Sequence, residues 1–215
     1  MENDLYNETY EDPGLEGQPE PGFRSWLYDW ADALVSALLI IVLMFSFIMR
    51  VSTVDGESML PTLNDRDMLL VSNIYSDLKQ GDIIVASTMG FLEHPIVKRV
   101  IATEGQVVNI NAALHQVSVN GKVVDDASFI NAPTKELGDI SYPFTVPAGC
   151  VFVMGDNRNA STDSRDSRIG CIDRRAILGK VFLRVLPAKK FGGFKNPLQT
   201  AEPEESEADL PGEGN

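Results

Sequence analysis

Gln116-Val117-Ser118-Val119-Asn120-Gly121-Lys122-Val123-Val124 alternates apolar and polar residues on both sides of an Asn-Gly pair. Alternation with a period of two marks a half-buried strand, and Asn-Gly suits a two-residue loop whose central residues both take positive φ. The stretch predicts a β-hairpin. Just upstream, Val107-Val108-Asn109-Ile110-Asn111 repeats the alternation. Further back, residues 68–71, 82–86 and 96–101 are short apolar runs with the look of buried strands, and Gly81-Asp82 turns the chain into the second of them. Downstream, residues 144–147, 150–156 and 178–186 continue the pattern. With no internal repeat and no long amphipathic helix, residues 51–190 are expected to form an all-β body of antiparallel sheets, curled into a partly closed barrel.

Ahead of that body, residues 33–49 run for 17 positions without a charge. That is the short end of a membrane-spanning helix and too long for most signal-peptide cores. Trp26, Tyr28 and Trp30 precede the run as an interfacial belt, with Arg24 and Arg50 at the two ends. A cleaved secretory signal is the alternative. The run begins 30 residues in, follows an acidic segment and lacks a small-residue cleavage site, so a retained anchor over residues 26–50 is expected. One arginine at each end leaves the orientation undecided.

The formal net charge of −13 belongs to the ends of the chain. Residues 1–30 hold eight acidic side chains against Arg24, and residues 201–215 hold six and no base, leaving 17 acids and 17 bases between them. Segments 1–25 and 191–215 are therefore expected to be acidic, unfolded tails around a neutral body. No basic stripe or aromatic stacking set suggests nucleic acid. Cys150 and Cys171 are the only cysteines, too few for a four-cysteine metal site. They could pair in an oxidising compartment or remain two buried thiols.

Chemistry concentrates in three places. Gly56-Glu57-Ser58-Met59-Leu60-Pro61-Thr62-Leu63 is a turn that holds a serine forward: Gly56 permits unusual backbone angles and Pro61 keeps Leu60 out of the helix. That serine is a nucleophile only if a neighbour takes its proton; otherwise the segment is a polar turn after an anchor. Lys98, by strand alternation, shares a face with Ile96 and Val100, while Arg99 faces the other way. Burial disfavours a charged amine, and a neutral one can act as a base, which arginine cannot. The alternative is an edge lysine that reaches out to water. Residues 155–168 pack Asp, Ser, Arg and Asn behind an apolar strand, as suits either a polar scaffold or a solvated loop.

Taken together, Ser58-Met59-x-Pro61-Thr62-Leu63, Gly81-Asp82, Lys98-Arg99-Val100 and Gly155-Asp156-Asn157-Arg158 with Ser161, Asp163, Ser164 and Arg165 resemble the motifs of type I signal peptidases, in the same order. The likeness covers about residues 30–187 and is nearest the single-anchor form typical of Gram-positive bacteria. It implies a membrane-bound serine endopeptidase, without metal or cofactor, that removes signal peptides from exported preproteins. It also implies a β-rich body on the extracytoplasmic side of the lipid bilayer, with the secretion translocon nearby. By that resemblance Ser58 is the nucleophile and Lys98 the general base. Ser161 corresponds to a serine that hydrogen-bonds and orients the lysine, and Asp156, Asp163, Arg99 and Arg165 to structural ion pairs. The Ser58 N–H corresponds to one oxyanion donor.

Two departures stand out. Some members carry a hydroxyl residue where this chain has Gly56, which leaves backbone or water as the second oxyanion donor, and the segment 165–170 is longer than the commonest family spacing. Small-residue selection calls for shallow apolar pockets along a sheet edge, and Met59, Ile83, Ile96 and Val97 are the residues expected to line them. Rival readings are a Ser/His hydrolase using His94 or His115, a self-cleaving Ser/Lys repressor-type protease, and an inert membrane-tethered scaffold. The first lacks a Gly-x-Ser-x-Gly elbow. The second is disfavoured by the anchor and the missing DNA-binding segment, and the third by the presence of both dyad residues.

Overall fold

The structure, a computed structural model, describes residues 22–75, 77–88, 92–194 and 196–198. Most of both expected tails therefore lies outside the described residues. Phe23–Phe47 forms the helix α1. At 1.5 Å per residue its 25 residues extend about 37 Å, against roughly 30 Å of bilayer hydrocarbon. Leu34, Val35, Leu38, Leu39 and Ile40 are all exposed, so the helix presents apolar side chains around its circumference. A helix of that kind requires an apolar solvent. Among the described residues it is the one helix long and apolar enough to cross a membrane.

The second unit is built from antiparallel strands. Met49–Thr53 (β1), Met68–Ser72 (β2), Ile83–Ala86 (β3), Ile96–Thr103 (β4), Val107–Asn111 (β5) and Gln116–Val119 (β6) come first. They are followed by Lys122–Val123 (β7), Phe144–Thr145 (β8), Cys150–Met154 (β9), Ile172–Asp173 (β10), Ile177–Leu186 (β11) and Gly192–Gly193 (β12). The larger sheet runs β1-β2-β11-β3-β4-β9-β10, with β12 beside β11; the smaller runs β7-β6-β5-β8. The late strand β11 is thus inserted between the early strands β2 and β3. The β6–β7 loop has φ of 51° at Asn120 and 79° at Gly121, the geometry that selects Asn-Gly.

Alternation divides the core. Ile84, Ala86, Ile96, Val100, Val151 and Val153 pack on one side of the large sheet. Their neighbours Ile83, Val85 and Val97 join Val54, Met59, Leu63 and Leu69 on the other. Ile101, Phe152 and Met154 meet Val108, Ile110, Val117 and Val119 of the small sheet.

Two boundaries differ from expectation. The helix ends at Phe47, and Met49 and Arg50, expected inside the anchor, begin β1, because Met49–Thr53 finds a complete antiparallel partner in β2. Residues 192–194 and 196–198, expected as tail, lie on the body. Gly192–Gly193 pairs with β11, Phe194 packs on the core, and Asn196 Nδ2 donates to Gln80 O at 2.8 Å.

Candidate active site

Met59 and Leu63, both buried, plug the turn after β1 into the core, and Leu63 N–H closes it on Met59 O at 2.9 Å. The flanks are tied as well. Gly56, at φ 87°, donates its N–H to Asp65 Oδ1 (2.9 Å), and Val54 N–H donates to Asp67 O (2.9 Å). Ser58 sits between these fixings, half-buried. Arg184 of β11 reaches across to donate to Thr62 O (2.6 Å) while pairing with Asp67 (3.2 Å).

Lys98 on β4 is 4% exposed, and its Nζ lies 2.6 Å from Ser58 Oγ and 3.2 Å from Val97 O. Burial pulls its pKa from 10.5 down to about 8, against the opposing pull of Asp163 and Asp156. Those two carboxylates are already matched to guanidinium groups. Arg99 grips Asp156 through Nε (2.8 Å) and Nη2 (2.6 Å), and Arg165 grips Asp163 with two contacts of 2.8 Å. Two-point pairing of this kind fixes geometry as well as charge, and it leaves desolvation as the dominant influence on the amine.

The polar segment after β9 binds the Ser58 turn directly. Asn157 N–H donates to Ser58 O (2.9 Å) and Asn157 Nδ2 to Glu57 O (3.1 Å). The Thr62 hydroxyl donates to Asp156 Oδ2 at 2.6 Å. Gly155 is required by contact: a Cβ there would collide with Ser161 Oγ and with the Ser58 carbonyl. Its N–H donates to Asp163 Oδ2 at 2.9 Å. Ser164 extends the strand ladder with a side chain, its Oγ accepting from Val153 N–H at 2.9 Å.

Ser58, Lys98, Arg99, Asp156, Asp163, Arg165 and Ser161 are therefore gathered, but one expected bond is absent. Ser161 Oγ donates to Asp163 Oδ2 (2.7 Å), and the described contacts of Lys98 Nζ are Ser58 and Val97. The Ser161 proton is thus committed to Asp163, the carboxylate that also pairs with Arg165. Beside Ser58 opens a groove of about 350 Å³, lined by Met59, Ile96, Val97 and Lys98 together with Val54 and His94. Ile83 does not reach it. As the partner of Arg99 in the β3–β4 ladder it is buried in the cluster that also holds Met59 and Val97. His94 is exposed on the groove and His115 lies in the β5–β6 turn; the hydrogen-bond partner of Ser58 Oγ is the lysine. Among the described residues no three His, Cys, Asp or Glu side chains could hold a metal ion together.

The Peptidase_S26 family model, described as "Signal peptidase, peptidase S26", matches residues 27–186. The chain belongs to the signal peptidase family. It is 37% identical over 166 residues to Signal peptidase I of Bacillus amyloliquefaciens, covering 73% of this chain and 86% of that one. To Signal peptidase I S of Bacillus subtilis (strain 168) it is 35% identical over 164 residues, 71% and 85% of the two chains. A probable signal peptidase I-1 of Synechocystis is 31% identical over 188 residues, 83% and 92%. A crystal structure of a signal peptidase I from Enterococcus faecalis V583 aligns with 49% of this chain and 97% of its own, at 24% identity and a TM-score of 0.37.

The signal peptidase motifs did not disclose every part of the site. Phe129 lies 4.3 Å from the Arg99 guanidinium and 5.8 Å from that of Arg158. Arg158 is fully buried, pairs with Asp126 (2.5 Å) and donates to Thr134 Oγ1 (2.9 Å). Arg158 was visible in its motif without a role. Asp126 and Phe129 carry no local pattern that would single them out.

Proposed function

We propose that this chain is a membrane-anchored serine endopeptidase that removes N-terminal signal peptides from exported preproteins, with Ser58 as nucleophile and Lys98 as general base. The observation that carries the reading is a buried amine, its pKa lowered to about 8, lying 2.6 Å from a serine hydroxyl. In the neutral form Lys98 Nζ takes the Ser58 proton as Oγ attacks the scissile carbonyl. The resulting oxyanion lies toward Ser58 N–H. Gly56 N–H already donates to Asp65, so Gly56 is not the second donor. Collapse breaks the C–N bond, and the Lys98 ammonium protonates the departing amine. Water, deprotonated by the same lysine, then attacks the ester, and Ser58 leaves with its proton restored.

The groove beside Ser58 receives the extended residues before the cleaved bond, with Met59, Ile96 and Val97 as its apolar wall. Asp156, Arg99, Asp163, Arg165 and Ser161 hold the dyad without touching substrate. Helix α1 tethers the body to the bilayer, and catalysis takes place on the extracytoplasmic side, where preproteins emerge close to the translocon. The test is cleavage of a preprotein with a small-x-small site by wild type, Ser58→Ala and Lys98→Ala, with folding followed by circular dichroism. Both folded variants should be inactive. Persistent cleavage by either would place the nucleophile or the base elsewhere, and cleavage lost on His94→Ala would favour a Ser/His mechanism.

A further inference from the structure

The catalytic reading leaves Cys150 and Cys171 without a part. Cys150 opens β9, where its register partner across the ladder is Asp173 of β10. Cys171 precedes Asp173 by two residues, so the two cysteines stand on the same face of the ladder, diagonally opposed. The ladder is extended at its open end by Arg174 N–H donating to Gly149 O at 2.8 Å. Cys171 itself sits in a bend just outside the paired residues, where no ladder bond restrains its approach. Both residues are half-buried free thiols, and Cys150 is close enough to act on the Cys171 thiol. Between them in sequence runs the whole segment that carries Asp156, Ser161, Asp163 and Arg165.

We infer that Cys150 and Cys171 are an intramolecular disulfide pair that clasps the base of this segment when the protein meets a disulfide oxidant. One thiolate attacks the oxidant's S–S bond, forming a mixed disulfide and releasing one reduced thiol. The second cysteine displaces the other, so two protons and two electrons leave the protein and the oxidant becomes two thiols. Burial and the neighbouring Cys150 push the Cys171 thiol up to about 11, so pairing accelerates as pH rises toward that value. The closed ring removes conformations from the unfolded chain, and it fixes the exit of the loop against the strand that leads into it. Meeting such oxidants in the cell rests on the extracytoplasmic placement proposed above; the pairing itself does not.

The test uses the full chain in detergent micelles, oxidised with oxidised glutathione or reduced with dithiothreitol. Alkylation followed by mass spectrometry should find no free thiol after oxidation and two after reduction, with the oxidised protein monomeric on a non-reducing gel. It should melt about 5–10 °C above the reduced form, and Cys150→Ser and Cys171→Ser should melt with the reduced form whatever the oxidant. Thiols that stay alkylatable, a disulfide formed only between chains, or equal melting of the two forms would overturn the inference. Preprotein cleavage is followed on the same samples. Its absence from both the oxidised and the reduced wild type would count against the peptidase reading and leave the thiol result standing.

Discussion

A lysine with 4% of its surface exposed has surrendered the solvation of its charge, and the surrender has a sign. The unfolded amine titrates near 10.5 and the folded one near 8. As pH rises from about 8 to 10.5 the unfolded chain keeps a proton that the folded one has shed, so the wild type gains stability across that window. Below it the buried amine costs about 3 kcal/mol, at 1.4 kcal/mol per unit. Lys98→Met should therefore be inactive yet more stable than wild type at pH 7 by about 1–3 kcal/mol in urea denaturation. The gain should vanish above pH 10.5. Lys98→Arg keeps a charge that cannot be shed, and should reduce kcat/KM at least ~1,000-fold with the fold retained. In the wild type kcat/KM should rise with pH to a plateau above about 8; a flat profile between pH 6 and 9 would deny the lysine its role as base.

At the scale of elements, the site is a turn after β1 laid on a loop after β9, and few bonds join them. Thr62→Val removes the hydroxyl that donates to Asp156 and leaves a buried carboxylate oxygen short of a partner. A loss of about 1–3 kcal/mol is expected in denaturation, with a fall in kcat. Gly155→Ala forces a methyl group against Ser161 and the Ser58 carbonyl, and displacing Ser58 should lower kcat/KM about 100-fold with little change in KM. The strands were legible because alternation and Asn-Gly are local signals. The β1, β10 and β12 strands were not: β1 begins in residues read as the end of the anchor, and the two-residue strands carry no period and exist only through the partner they find. Similarly, Ser161 was legible as a residue of the site, but its partner was not. Whether a serine proton goes to an amine or a carboxylate is decided by distances that no spacing encodes. Ile83 is absent from the groove lining for the same reason: a buried strand was legible, but not which cavity each of its side chains meets.

Across the whole molecule, matching by family ends at residue 186, yet the chain continues to hold the body beyond it. Phe194 lies under the Arg184 guanidinium (5.3 Å) and Asn196 Nδ2 reaches Asp82 Oδ1 (3.1 Å). Ending the chain after Phe191 should lower the melting temperature by about 5 °C, read by differential scanning fluorimetry in micelles. Composition made the apolar helix and the neutral body plain, since both follow from counting. It did not reveal that residues 192–194 stay on the body, because Gly-Gly-Phe resembles a linker until Leu183 and Arg184 are seen to pair with it. The insertion of β11 between β2 and β3 has a further consequence in time. Ser58 and Lys98 leave the ribosome well before Arg184, which lies 122 positions after the Thr62 carbonyl that it holds. During synthesis the proposed dyad exists before its latch, so a half-made chain carries both residues without the strand that grips the Thr62 turn.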